Sequence, residues 1–374
     1  MGSALEEHYS YLSDGIRLER YEQAVALAVM PGDSVADIGC GFGILGLMCL
    51  KAGASHVWGI DETPAIQIAA EAMARSGFDD RYTCLHESSF KSELPAPVDV
   101  LICDHVGYFG FDYGIIKTMG DARRRLLKDG GKILPQQIRL EVAAVQSDSC
   151  RELANAWAKA PVPADYRWLR EYGVNTKHGR DFLADELVAR PETLGTIDLR
   201  EDGPDALSFF VQLDILRGCD LDGLAGWFAC EIFDGVWMTN SPVAPARIKR
   251  SQAFLPFASP LSVIKGDKLE VNMSVRHEEN IISWSARVAR TGQASRQSTW
   301  ASTILDPRDR TPPAESAIEL SREGEARRDL LGMVDGRLTG EEIELEMLAR
   351  YADLYPSIDL VAAFVRSEIC RSAR

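Results

Sequence analysis

The sequence predicts an α/β domain with a doubly wound parallel sheet, then an all-β domain of barrel or sandwich type, then a short helical segment. Three observations carry this. Up to Pro135, short apolar runs alternate with stretches of helical period, the pattern of strands joined by crossover helices. From Ile138 to Ala289, strand-length runs recur with turns such as Lys265-Gly266-Asp267 between them. Residues 318–370 return to amphipathic helical spacing, punctuated by Gly336 and Pro356.

The boundaries follow from these changes of period. Residues 1–30 form an N-terminal helical segment, with Leu18, Tyr21, Val25 and Val29 on one face of a helix over 5–29, ended by Pro31-Gly32-Asp33. Residues 31–135 form the α/β domain. Its strands are Val35–Ile38, Val57–Ile60, Tyr82–Leu85 and Val98–Cys103, and its helices follow Ile44, Pro64 and Asp121. Residues 136–305 form the β domain, with a helical insertion near 150–191. Asp306–Pro313 is rich in proline and charge and reads as a linker to a helical domain at 314–374.

One stretch organises the first domain: Val35-Ala36-Asp37-Ile38-Gly39-Cys40-Gly41-Phe42-Gly43-Ile44. A buried strand runs into a glycine turn and then a helix, and the next strand ends on Asp61. Glycines let a ligand lie against the main chain, and an acid at the end of the second strand accepts hydrogen bonds from ribose hydroxyls. No Lys-Ser or Lys-Thr pair follows to hold phosphate. A nucleoside without phosphates is therefore expected, held by Asp37, Gly39, Gly41, Gly43 and Asp61. The form resembles motif I of class I S-adenosylmethionine-dependent methyltransferases, whose cofactor carries a sulfonium cation that suits a neighbouring acid such as Asp37. Ser89 and Phe90, after the third strand, fall where adenine contacts belong, although a Ser-Ser pair is also ordinary turn chemistry.

Bulk properties narrow the function. The formal net charge of −15 argues against nucleic acid and anionic membranes as partners. No run of eighteen apolar residues predicts a membrane span, and the acidic N-terminus is unlike a secretory signal. The eight cysteines include no Cys-x-x-Cys pair and no zinc spacing, so no metal is expected. They read as thiols in a reducing cytoplasm.

Over most of residues 9–302 the sequence resembles the protein arginine methyltransferase family. Asp37–Leu45, Lys51-Ala52-Gly53-Ala54 and Gly59-Ile60-Asp61 look like its motif I and the motif after it. The segment Asp14-x-x-Arg17-x-x-x-Tyr21 looks like its N-terminal helix. Asp104-His105-Val106-Gly107-Tyr108-Phe109 resembles the start of its two-glutamate loop, and Trp237–Pro245 the approach to its threonine-histidine-tryptophan loop. The resemblance implies a Rossmann-like domain joined to a β-barrel, a homodimer formed through an arm, and Arg17 pairing with the cofactor's carboxylate. Otherwise Arg17 is a solvated helix residue.

The chemistry-bearing positions depart from that family. The first glutamate is Asp104, the second falls on Tyr113 with Asp112 beside it, and the histidine falls on Ile248 within the cationic Arg247-Ile248-Lys249-Arg250. A guanidinium is usually held by paired carboxylates, and added cations repel it. The expected substrate is accordingly a small aromatic or amine-bearing metabolite, with an indole carbon favoured, as in a bacterial small-molecule branch of the scaffold. Asp104 and His105 would handle the proton and Tyr108 and Tyr113 would face the ring. His105 could equally be a structural histidine, and the tyrosines core packing. The alternatives are arginine methylation on a protein or peptide, and a non-catalytic cofactor-binding regulator. Thr339 and Glu342 are placed to form a capping box in a segment that loosely resembles winged-helix modules, some of which hold peptides; a packing cap is the other reading.

Overall fold

In the computed structural model the described residues are 4–305 and 317–372; the linker read at Asp306–Pro313 lies outside them. The chain divides into two compact units, Met1–Thr303 and Ile304–Arg374. Among the described residues, no helix is long and apolar enough to cross a membrane.

The first unit opens with α1 (Ala4–Leu12) and α2 (Gly15–Ala28), where one helix was expected over 5–29. The break has a local cause. The Asp14 carboxylate accepts the Arg17 backbone N–H at 3.2 Å and caps a new helix. The α/β layer follows: β1 (Ser34–Ile38), α3 (Ile44–Lys51), β2 (His56–Ile60), α4 (Ile66–Ser76), β3 (Tyr82–Leu85), β4 (Val98–Cys103), α5 (Ile115–Leu126) and β5 (Leu127–Leu134). The strands lie in the order β3-β2-β1-β4-β5, all parallel. Strand order reverses between β1 and β4, and the crevice beyond their carboxyl ends is where ligands bind in such sheets. The interior residues Val35, Ala36, Val100, Leu101 and Ile102 are fully buried, which is why these strands read as continuous apolar runs.

Beyond Pro135 come β6 (Gln137–Val145), α6 (Asp148–Ala154), α7 (Arg170–Val174), β7 (His178–Arg180), β8 (Glu192–Asp198), β9 (Ala206–Asp214), β10 (Cys219–Phe233), β11 (Val236–Thr239), β12 (Gln252–Val263), β13 (Lys268–Arg276), β14 (Ile281–Val288) and β15 (Ala294–Ser298). They form two antiparallel sheets, β7-β12-β10-β6-β8 with β11 beside β10, and β15-β14-β13-β9. The sheets meet where β8 adjoins β9 and β12 adjoins β15, giving the barrel domain. Strands β7, β8 and β15 were not anticipated. They are short or largely polar, as in His178-Gly179-Arg180 and Ala294–Ser298, and lack an apolar run.

In the second unit, α8 (Arg322–Met333), α9 (Gly340–Arg350) and α10 (Ile358–Ser372) enclose Ala326, Leu330, Ile343, Met347, Val361 and Val365. The capping box forms: the Glu342 carboxylate accepts the Thr339 N–H at 2.8 Å, and Thr339 Oγ1 accepts the Glu342 N–H at 3.3 Å. The winged-helix likeness fails, because the described residues of this unit form helices and no strand.

Candidate active site

The glycine turn leaves β1 with backbone angles that side chains resist. Gly39 has φ +65° and Gly41 +53°. A Cβ on Gly39 would lie 2.1 Å from His105 Nε2, and one on Gly41 2.4 Å from Cε1 of His8. The bare backbone is thus exposed to a cleft of about 500 Å³, lined in part by His8, Tyr11, Arg17, Asp37, Asp61 and Asp104. A second cleft of about 370 Å³, lined by Glu87, Ser88, Ser89, Phe90 and Lys117 among others, shares Gly39, Asp61, Thr63, His105 and Tyr113 with the first.

Asp61 is fixed by donors. Its carboxylate accepts the Gly41 N–H at 2.8 Å, the Thr63 N–H at 2.8 Å and the Thr63 hydroxyl at 2.6 Å. Asp37 is fully buried and accepts the Gly46 N–H at 2.8 Å. Burial pushes its pKa up to about 7, against the pull of the Gly46 hydrogen bond.

Asp104 lies one residue beyond β4, at the floor of the larger cleft. Its carboxylate accepts Arg17 Nε at 2.6 Å, the Tyr21 hydroxyl at 3.0 Å and Arg250 Nη2 at 3.3 Å. Burial alone would raise its pKa. The Arg17 and Arg250 guanidiniums beside it outweigh burial and hold it below the usual carboxylate range. Burial lowers the pKa of His105, so its imidazole is neutral at pH 7.

The loop after Asp104 is held by its own side chains. Asp112 accepts the Tyr108 N–H at 2.8 Å and the Phe109 N–H at 2.5 Å, and pairs with the buried Lys177 ammonium. Lys177 Nζ sits 4.4 Å from the centre of the Tyr108 ring, and burial brings its pKa down to about 8. Asn240 donates to the Tyr108 carbonyl at 2.8 Å and to the Ser251 carbonyl at 2.7 Å, tying this loop to the barrel.

The sequence-derived residues therefore converge, with two exceptions. Arg17, Asp37, Gly39, Gly41, Asp61, Asp104, His105 and Tyr113 line the larger cleft, and Ser89 and Phe90 the smaller. Gly43 lines neither. Its φ of +78° starts α3, and a Cβ there would press on Met73 and Ala69. Tyr108 also lines neither, its ring lying against Lys177. Sequence reasoning missed His8, stacked on Phe42 at 3.9 Å, Tyr11 and Lys177, and it took Arg250 for a repelling cation rather than the partner of Asp104. Tyr21 was visible as the residue one helical turn after Arg17. The others meet the site through distant segments.

The donor set fits S-adenosylmethionine. Asp61 matches ribose hydroxyls, Arg17 a carboxylate, Asp37 a cationic centre, and the Glu87–Phe90 turn the base.

Comparisons agree with this fit. A family model described as ribosomal protein L11 methyltransferase (PrmA) matches residues 17–139. Protein arginine N-methyltransferase 1 of Chlamydomonas reinhardtii is 34% identical over 257 residues, covering 64% of this chain and 72% of the relative. Protein arginine N-methyltransferase 1 of Oryza sativa subsp. indica is 28% identical over 276 residues, covering 72% and 71%. Among solved structures, the Trypanosoma brucei PRMT1 enzyme-prozyme heterotetrameric complex with AdoHcy superposes with TM-score 0.69 at 21% identity, covering 78% of this chain and 96% of that one. Protein arginine methyltransferase 10 of Arabidopsis thaliana gives 0.69 at 20%, covering 79% and 98%.

These relatives overturn the expectation of a small-molecule substrate, the indole carbon included, since they are named for arginine methylation. The physical premise behind it is weakened in one respect: of the loop's cations, Arg250 is drawn onto Asp104, which Arg17 also engages, and donates to the Gly107 carbonyl at 3.1 Å, so it does not stand free before a substrate. The non-catalytic reading gives way as well: the chain is a class I S-adenosylmethionine-dependent methyltransferase, and it belongs to the protein arginine N-methyltransferase family.

Proposed function

We propose that this enzyme methylates a guanidinium nitrogen of arginine in a protein or peptide. The observation that carries the reading is Asp104: a buried, ionised carboxylate at the switch point of the sheet, on the floor of the cleft that the cofactor-fitting residues line. Bound S-adenosylmethionine supplies an electrophilic methyl group. Asp104 orients the guanidinium by charge-assisted hydrogen bonds. His105, neutral and shared by both clefts, is positioned to accept the proton that the nitrogen gives up. Tyr113, where a second acid is usual for this family, offers a hydroxyl instead. One carboxylate in place of two implies a weaker hold on substrate and a high KM.

The test is methyl transfer from labelled cofactor to arginine peptides, with the product hydrolysed and analysed for methylarginine. Label on arginine that disappears in Asp104→Asn supports the reading. Label on other residues, or equal labelling by the variant, ends it.

Two further features belong to this reading. A homodimer is supported by Trp157, Tyr166 and Trp168, which are 45, 56 and 58% exposed on the 150–191 insertion, where the family resemblance puts the dimer arm. A cytoplasmic location is supported by eight cysteines that are all free thiols. Sedimentation analysis and cell fractionation check these in turn.

A further inference from the structure

Arg247 is the least satisfied cation near the site. It is half-buried, and its Nη1 is buried with no hydrogen-bond partner among the described residues. It lines a cleft of about 300 Å³ with Asp181, Ile248, Lys249, Arg250 and Ser251. Arg250 joins this cleft to the substrate corner, because the same guanidinium lies 3.3 Å from Asp104. The charges differ in how they are used. Arg250 is paired with Asp104, which it shares with Arg17, and Lys249 is exposed with its ammonium 3.4 Å from the Ser13 carbonyl. Asp181 is the single acid of the lining and is exposed. Positive charge is therefore left over beside the target site in a chain whose net charge is −15.

The shielded Nη1 is out of a ligand's reach, but Arg247 is only half-buried and lines the cleft, and a carboxylate is the partner that a planar guanidinium suits there. A small cleft on an acidic protein suits one or two carboxylates and disfavours a nucleic-acid polyanion, which the overall charge repels. We propose that this cleft takes a Glu or Asp side chain flanking the target arginine, so that the enzyme selects arginines in acidic sequence. The inference deepens the arginine reading above and rests on it for the identity of the substrate.

The test uses the full chain and three peptides of equal length with one central arginine, flanked by Glu, Gly or Lys. Binding is read by fluorescence anisotropy with S-adenosylhomocysteine present, and methylation is read separately. The Glu peptide is expected to bind about tenfold tighter than the Gly peptide, the scale of one charge-assisted pair. Arg247→Gln should shrink that ratio to near one, and Arg247→Glu should shift preference toward the Lys peptide. Equal binding of all three peptides, or a preference untouched by both variants, overturns the inference. Arg247-dependent binding of the Glu peptide without methylation would remove the arginine-methylation reading while leaving the carboxylate-binding cleft in place.

Discussion

The two halves of the cleft are built by different means. The cofactor edge is backbone work. Gly39 and Gly41 hold positive φ angles, the Gly39 N–H donates to the Ile60 carbonyl at 2.8 Å, and single carboxylates gather N–H groups around them. The substrate corner is side-chain work. Asp104 is held by Arg17, Tyr21 and Arg250, and Asp112 by Lys177. Backbone geometry permits few substitutions without a steric clash. Side-chain ion pairs can be exchanged partner by partner, which is how Asp104 and Tyr113 can stand where the family has two glutamates without loss of the fold.

The largest effect should come from the ion-paired corner. Asp104→Asn removes the charge that the arginine reading assigns to positioning the guanidinium, and leaves Arg17 and Arg250 facing each other. Turnover should fall roughly 100- to 1,000-fold, and thermal unfolding should show a loss of about 3 kcal/mol. A variant as active as the parent would show that Asp104 is a structural acid.

The glycines sharpen the contrast from the other side. Gly39→Ala forces a methyl group onto His105, and cofactor affinity measured by calorimetry should drop about a hundredfold, since strain and displacement together cost about 3 kcal/mol. Gly43→Ala should instead destabilise the fold by about 1–2 kcal/mol with a smaller change in affinity, because Gly43 turns the chain and touches neither cleft. Similar affinity losses in both would blur the distinction.

Asp37 gives a pH signature. Its folded pKa is raised to about 7, so between pH 4 and 7 the folded state holds a proton that the unfolded chain has released. Stability contributed by this group therefore falls as pH rises through that window, by up to about 1.4 kcal/mol per unit, and levels off above it. Denaturant titrations of parent and Asp37→Asn should diverge in slope across pH 4–7 and run parallel above. Matching slopes would place Asp37 in a wetter setting.

The smallest effect is expected at Lys177→Met. It leaves Asp112 without its cation and loosens the loop behind Tyr108. KM for the peptide should rise about three- to tenfold, with cofactor affinity unchanged. A change in cofactor affinity would mean that the two halves are mechanically coupled.

The same contrast explains what could be read from the chain. The glycine turn, Asp37 and Asp61 were legible because a strand, a turn and a helix N-terminus are local, and their spacing alone implies the crevice. Arg250 was read as a free, repelling cation because its partner Asp104 lies 146 residues away. Lys177 sits in the insertion beyond α7, where no local pattern announces a partner for Asp112. The break after Leu12 was missed because apolar spacing continues across it, while the cap at Asp14 acts through one hydrogen bond. The substrate was misjudged for a related reason. Charges counted along a segment say little until their partners are known.

Asp14 carries one more consequence. Besides capping α2, its carboxylate accepts the Lys249 backbone N–H at 2.6 Å across 235 residues of chain. During synthesis at about 5–20 residues per second, the ribosome delivers that donor on the order of ten seconds to a minute after the acceptor. Until then the helix that carries Arg17 can pack on β10 and β11 but lacks this tie to the segment before β12, and Arg250, which follows Lys249 at once, has not reached Asp104. The nascent α/β layer can assemble early, while the ion-paired corner around Asp104 is completed only when Arg250 has been made.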